Sequence, residues 1–174
     1  MKTVIVIPAR YASTRYPGKP LVMLRERDGT AKSLIQRSWE AAMAVNGVDA
    51  VFVATDDARI KEASEAFGAQ VIMNSETCEN GTARCAEAAT AGVFDADLVV
   101  NLQGDAPLTP AWFVEDLIAA MAARPEAPVA TPVVRCDAQT YAHFRADRAA
   151  GLVGGTTAVF DRSNRALYFS KEVL

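Results

Sequence analysis

Five runs of apolar, largely β-branched residues are spaced along this chain, and helix-patterned segments separate them. That alternation leaves few folds open. TVIVI at 3–7 is continuous rather than alternating, the pattern of a strand covered on both faces. AVFVA at 50–54, QVIM at 70–73, DLVVNL at 97–102 and VATPVV at 129–134 follow it. Between them, 33–45, 58–67, 82–91 and 110–123 read as helices. Gly47, Gly68 and Gly92 stand where three of them should stop, and Pro110 opens the fourth. The order β-α-β-α-β-α-β-α-β predicts an α/β fold of three layers: a mostly parallel sheet with helices on both faces. Later the texture changes. Residues 151–160 and 166–169, joined across DRSN, predict a β-hairpin, whereas 135–150 shows no clear pattern. SKEVL at 170–174 reads as the opening of a helix capped by Ser170, cut after about one turn. A helix that short is marginal by itself, so the chain is expected to be a fragment. Its 174 residues suit one domain with a real core.

Several function classes drop out on composition. A net charge of −3 gives no general attraction to nucleic acid. No apolar run nears the ~20 residues that span a bilayer. The N-terminal MKTVIVIPAR is too short for a secretory leader and reads as a strand. The expected setting is cytoplasmic, with no membrane and no nucleic acid as partner. Cys78, Cys85 and Cys136 form no CxxC pair and are odd in number, so they read as reduced, mostly buried thiols. His143, the only histidine, reads as a surface or packing residue. Trp39 and Trp112 read as core.

Ligands of open parallel sheets bind where the strands end, so the residues after each predicted strand carry the most information. The first strand delivers PARYASTRYPGKP at 8–20, which holds Arg10, Arg15 and Lys19 and no acid. The phosphate loop GxxxxGK[ST] and the dinucleotide GxGxxG are both absent. Either this is a solvated basic loop, or its guanidinium and ammonium groups clamp a polyphosphate, with Gly18 permitting close backbone approach. The second strand delivers Asp56 and Asp57, which read as caps of the following helix. The third is followed by a polar run at 74–82, and the fourth by Gln103, Gly104 and Asp105. Asp105 either closes a turn or holds a divalent metal that bridges phosphate oxygens.

Taken together, PARYASTRYPGKPL, VATDD, NGTARCAEA, NLQGDAP and ALYFSKEVL resemble, collinearly over the whole chain, the CMP-Kdo synthetases (3-deoxy-manno-octulosonate cytidylyltransferases). The resemblance implies a Rossmann-like nucleotidyltransferase fold and a reaction. The anomeric hydroxyl of Kdo attacks the α-phosphate of CTP, giving CMP-Kdo and pyrophosphate for lipopolysaccharide biosynthesis, with Mg²⁺ as cofactor. It implies that Arg10 and Lys19 hold the triphosphate with Arg15 nearby. Ala9, Asn80, Gly81 and Thr82 belong to the region for cytosine and ribose. Pro8 and Arg84 join the substrate-binding set, Gln103 lies beside nucleotide and sugar, and Asp105 is a Mg²⁺ ligand. Arg10, Lys19 and Asp105 carry catalysis by positioning and charge neutralisation. Ala83 and Ala106 stand where the family often has acids. The family continues past the hairpin and forms homodimers. The resemblance therefore makes 1–174 a single nucleotide-binding domain, truncated before the rest of the sugar-binding and dimerisation region and expected to be inactive alone. Two alternatives stay open: a cytidylyltransferase for another acidic sugar such as an acylneuraminate, and a non-catalytic nucleotide-binding module.

Overall fold

The computed structural model describes residues 1–12 and 16–173. They form two compact units, residues 1–129 and 130–174. The first is built around β1 (Thr3–Ala9), which is buried along its whole length. After it come a 3₁₀ turn (Lys19–Leu21), β2 (Met23–Arg25), β3 (Ala31–Ser33), α1 (Leu34–Met43) and β4 (Ala50–Thr55). Then follow α2 (Ala58–Ala66), β5 (Gln70–Met73), α3 (Gly81–Thr90), β6 (Leu98–Asn101) and α4 (Ala111–Ala123). The second unit holds α5 (Ala138–Ala149), β7 (Thr157–Phe160) and β8 (Ala166–Ser170).

The main sheet has the order β5-β4-β1-β6, and every pair in it is parallel. Strand periodicity decides which helix covers which face. Ile5, Ile7 and Ala9 fall on one side with Val51 and Val53, and pack against Ile35 and Ala42 of α1, Ile60 of α2 and Val114 of α4. Val4 and Val6 fall on the other with Phe52, Ala54 and Ile72, against Cys85 and Ala88 of α3. The three layers expected from the sequence are therefore present. Local signals set the helix ends. Ser33 Oγ accepts from Gln36 N, Asp57 Oδ1 from Arg59 N, and Asn80 Oδ1 from Ala83 N. Gly68 and Gly92 have φ of 90° and 72° behind α2 and α3, a conformation that costs a glycine little.

Four expectations need correction. Residues 129–134 join no sheet, and Val129, Val133 and Val134 are exposed. Pro132 interrupts that run and removes a ladder donor from its middle. The chain beyond Ser170 does not turn into a helix through residue 173; β8 extends to Ser170 instead. Trp39 packs on the core beside Phe67, but Trp112 is 60% exposed. The thiols divide three ways, with Cys85 buried, Cys78 intermediate and Cys136 exposed. In addition, the short antiparallel pair β2–β3 lies where no strand was expected. Its turn has Gly29 at φ 87°.

In the second unit, Asp137 caps α5 by accepting from Thr140 N. Arg148 donates to the carbonyls of Leu152 and Gly155 and to that of Lys171. The hairpin β7–β8 is antiparallel, as expected. Its turn is held by Asp161, whose Oδ1 accepts from Ser163 N and Arg165 N. His143 is exposed on α5. No helix among the described residues is long and apolar enough to cross a membrane.

Burial pushes the Cys85 thiol up to about 12, and the thiolate is the reactive form. Alkylation of the native protein at pH 8 should modify Cys136 and leave Cys85 intact until denaturant is added. Mass mapping that finds Cys85 labelled as fast as Cys136 would contradict its burial between α3 and the sheet.

Candidate active site

From β1 the chain crosses to β4 and then β5 on one side, and it returns to β6 on the other. β1 and β6 are neighbours in the sheet, so the loops that leave them lie side by side at the C-terminal edge, where such a sheet binds its ligands. A cleft of about 680 Å³ lies there. The end of β1 contributes Pro8 and Ala9, and the segment after it contributes Arg10, Tyr16, Lys19 and Pro20. The start of α3 adds Asn80, Gly81 and Arg84, and the loop after β6 adds Gln103, Gly104 and Asp105. Val22, Leu24 and Leu34 form an apolar wall.

Backbone geometry makes this gathering possible. Gly18 sits at φ 70° and its N–H donates to Tyr11 O at 2.9 Å, which brings Lys19 back beside β1. Arg59 lies 3.3 Å from the centroid of the Tyr11 ring and donates to both carboxylate oxygens of Asp57. These hydrogen bonds hold the Asp57 carboxyl below the usual carboxylate range. On the other wall, Ser38 is fully buried and its Oγ donates to Gly104 O at 2.8 Å. Ser38→Ala should lower stability by about 1 kcal/mol, the net worth of one such bond. A urea midpoint equal to that of the parent would show that Ser38 does not tether this loop.

Two ion pairs organise the charges. Lys19 Nζ lies 2.6 Å from Asp105 Oδ2, with both side chains about half exposed. Exposure keeps that pair weak, of order 0–1 kcal/mol, so a ligand can replace it. The second pair is deeper. Arg84 is 2% exposed, and its Nη2 donates to Asp56 Oδ2 at 2.8 Å. Its Nη1 is buried with no hydrogen-bond partner. A buried donor left unpaired costs ~1–3 kcal/mol, and the cleft that Arg84 lines is a place from which an acceptor can come.

The residues singled out in the sequence mostly converge here. Thr82 is the exception: it is exposed on the first turn of α3 and does not line the cleft. The Asn80 side-chain oxygen is engaged as the cap of α3. Gln103 donates to Asn101 Oδ1 at 2.6 Å. Arg15 lies outside the described residues. Sequence reasoning missed Tyr16 and the apolar wall. It also misassigned Asp56, which pairs with Arg84 while Asp57 alone caps α2. Among the described residues no three His, Cys, Asp or Glu side chains gather as a metal cage. Asp105 is, among the described residues, the one carboxylate lining the cleft. That suits a Mg²⁺ carried largely by phosphates and water, which takes only one or two protein carboxylates.

A parallel sheet whose strand ends open on a cleft lined, among the described residues, by a lysine, two arginines and a carboxylate defines an α/β protein with a charged ligand-binding cleft. A sequence model of the family described as Cytidylyltransferase matches residues 4–174, and the chain belongs to that family. The protein of Maricaulis maris (strain MCS10) named 3-deoxy-manno-octulosonate cytidylyltransferase is 45% identical over 174 residues, covering 100% of this chain and 65% of its own length. The 8-amino-3,8-dideoxy-manno-octulosonate cytidylyltransferase of Shewanella frigidimarina (strain NCIMB 400) is 39% identical over 177 residues, with 98% and 65% covered. The solved structure of CMP:2-keto-3-deoxy-manno-octonic acid synthetase complexed with CTP has a TM-score of 0.86 and 38% identity. That match covers 100% of this chain and 66% of the other. This chain thus spans 65% or 66% of the length of these relatives.

Proposed function

We propose that this chain is the nucleotide-binding part of a CTP-dependent transferase. The enzyme would couple CTP to the anomeric hydroxyl of Kdo, releasing pyrophosphate and giving CMP-Kdo for lipopolysaccharide assembly. The observation that carries this reading is the Lys19–Asp105 pair in the cleft beside β1: a cation for phosphate and a carboxylate for its metal, within one ligand's reach. The relatives' names supply the nucleotide and the sugar.

The chemistry asks little covalent work of the protein. The sugar hydroxyl attacks the α-phosphorus, and the bond to the bridging oxygen of pyrophosphate breaks. Negative charge builds on the departing pyrophosphate, and catalysis is mainly positioning and neutralisation. Lys19 and Arg10 bind and orient the phosphates. Asp105 would hold Mg²⁺, which when bound would add to the neutralisation of phosphate charge. Arg84 accounts for the base. Cytosine presents O2 and N3 as acceptors along one edge, whereas N3 of uracil carries a proton. A guanidinium donor at that edge favours CTP over UTP.

Titration with CTP, UTP, ATP and GTP, each with and without Mg²⁺, tests the reading. CTP should bind most tightly, and Mg²⁺ should strengthen it. Equal, weak binding of all four would overturn it. The Shewanella relative favours one second reading, an 8-amino acceptor sugar. Pyrophosphate release with Kdo, but not with its 8-amino congener or an acylneuraminate, would select Kdo.

A further inference from the structure

Asp56 and Asp57 are adjacent and chemically alike, yet they do different things. Asp57 caps α2 and binds Arg59. Asp56 turns the other way, across 28 positions of sequence, to Arg84 at the start of α3. Its side chain is 17% exposed against 2% for Arg84. Arg84 is tied at its backbone as well: its N–H donates to Asn80 O, and its carbonyl accepts from Asn74 Nδ2. A guanidinium is planar and rigid. Once Nη2 is committed to Asp56 and the backbone to α3, the direction of Nη1 is fixed too. That nitrogen is the one left buried without a partner.

We propose that Asp56 is a positioning residue for base selection: through its bond to Nη2 it sets the plane of Arg84, so that Nη1 is held ready for an acceptor on the edge of a pyrimidine. The inference rests on the cytidine reading above and adds to it the residue that enforces the choice. Arg37 also pairs through Nη2, with Glu26, and leaves its Nε buried without a partner; what sets Arg84 apart is that it lines the cleft, where a ligand can supply the missing acceptor. Asp56 itself does not line the cleft, so it acts through Arg84 and has no direct contact to offer the phosphates.

The test measures dissociation constants of the full 174-residue chain for CTP, UTP and inorganic tripolyphosphate. The proteins are the parent, Asp56→Asn, Arg84→Lys and the double variant. Asp56→Asn should reduce the CTP-over-UTP preference about tenfold, the scale of one hydrogen bond to a charged group, with tripolyphosphate binding unchanged. Arg84→Lys should reduce that preference by a similar factor. The double variant should be no less selective than Arg84→Lys alone, because one acts through the other. An unchanged preference in Asp56→Asn, or losses that multiply in the double variant, would overturn the proposal. If Asp56→Asn does not fold, Asp56→Glu keeps the buried charge while displacing it by one methylene. Its preference should still fall, and full retention would sink the idea equally. A parent protein with no preference for CTP is a different failure, that of the cytidine reading itself.

Discussion

Lys19→Ala is expected to weaken CTP binding roughly ten- to hundredfold while the protein stays folded. A hydrogen bond to a charged group is worth ~1.5–3 kcal/mol, and each 1.4 kcal/mol is about tenfold in affinity. Lys19 lines the cleft and ends the segment that Gly18 folds back onto β1. Its present partner is Asp105 at 2.6 Å, and both side chains are about half exposed. Losing so exposed a pair costs stability only ~0–1 kcal/mol, so affinity and stability should separate cleanly. Isothermal titration beside a urea melt measures both. Unchanged CTP affinity would remove Lys19 from the ligand site. Binding by the parent should also weaken with salt, because half-exposed charges are screened.

Gly104→Ala should do the reverse and damage fold and site together. A Cβ at that position would lie 2.8 Å from Pro8 O. The obstacle is backbone of the central strand, which cannot swing aside as a side chain can. Accommodating it should cost about 1–3 kcal/mol and push the loop after β6 away from β1. Asp105 is the next residue, so its partnership with Lys19 should be lost as well. The expected result is a lower thermal midpoint and a response to Mg²⁺ that is weak or gone. Parent-like melting and parent-like Mg²⁺ dependence would show that the loop has room the structure does not provide. Gly81 sits under the same constraint more mildly, 3.1 Å from Pro8 Cγ by the same construction.

The sheet was legible because its evidence is local. TVIVI and AVFVA are continuous apolar runs, and such runs in alternation with helices leave one arrangement. The error at 129–134 came from weighing three valines above Pro132, which breaks the ladder they would need. The β2–β3 pair was missed although Asp28-Gly29 is a recognised turn signal, because its strands have only three residues each. The cationic segment and Asp105 could be found from their places after strands. The Asp56–Arg84 pair could not. It joins residues 28 apart, and nothing local tells a capping aspartate from one that reaches across to another helix. An arginine also gives no sign in sequence that it will be 2% exposed, since arginines are seldom buried unless paired.

The bridge between Lys19 and Asp105 has a consequence for what the cleft admits. A bare polyanion that approaches Lys19 must separate it from its carboxylate and then sit beside that carboxylate unshielded. A bare cation meets the mirror-image difficulty at Asp105. A visitor that carries both signs escapes the conflict, since its anionic half takes the lysine while its cationic half takes the aspartate. Two ionic contacts are thereby exchanged for two others, with no charge stranded. The resting bridge thus works as a filter for neutralised cargo. On the proposed nucleotide reading, it would favour a triphosphate that arrives with its metal over the same triphosphate stripped of it, before any base or sugar has been read.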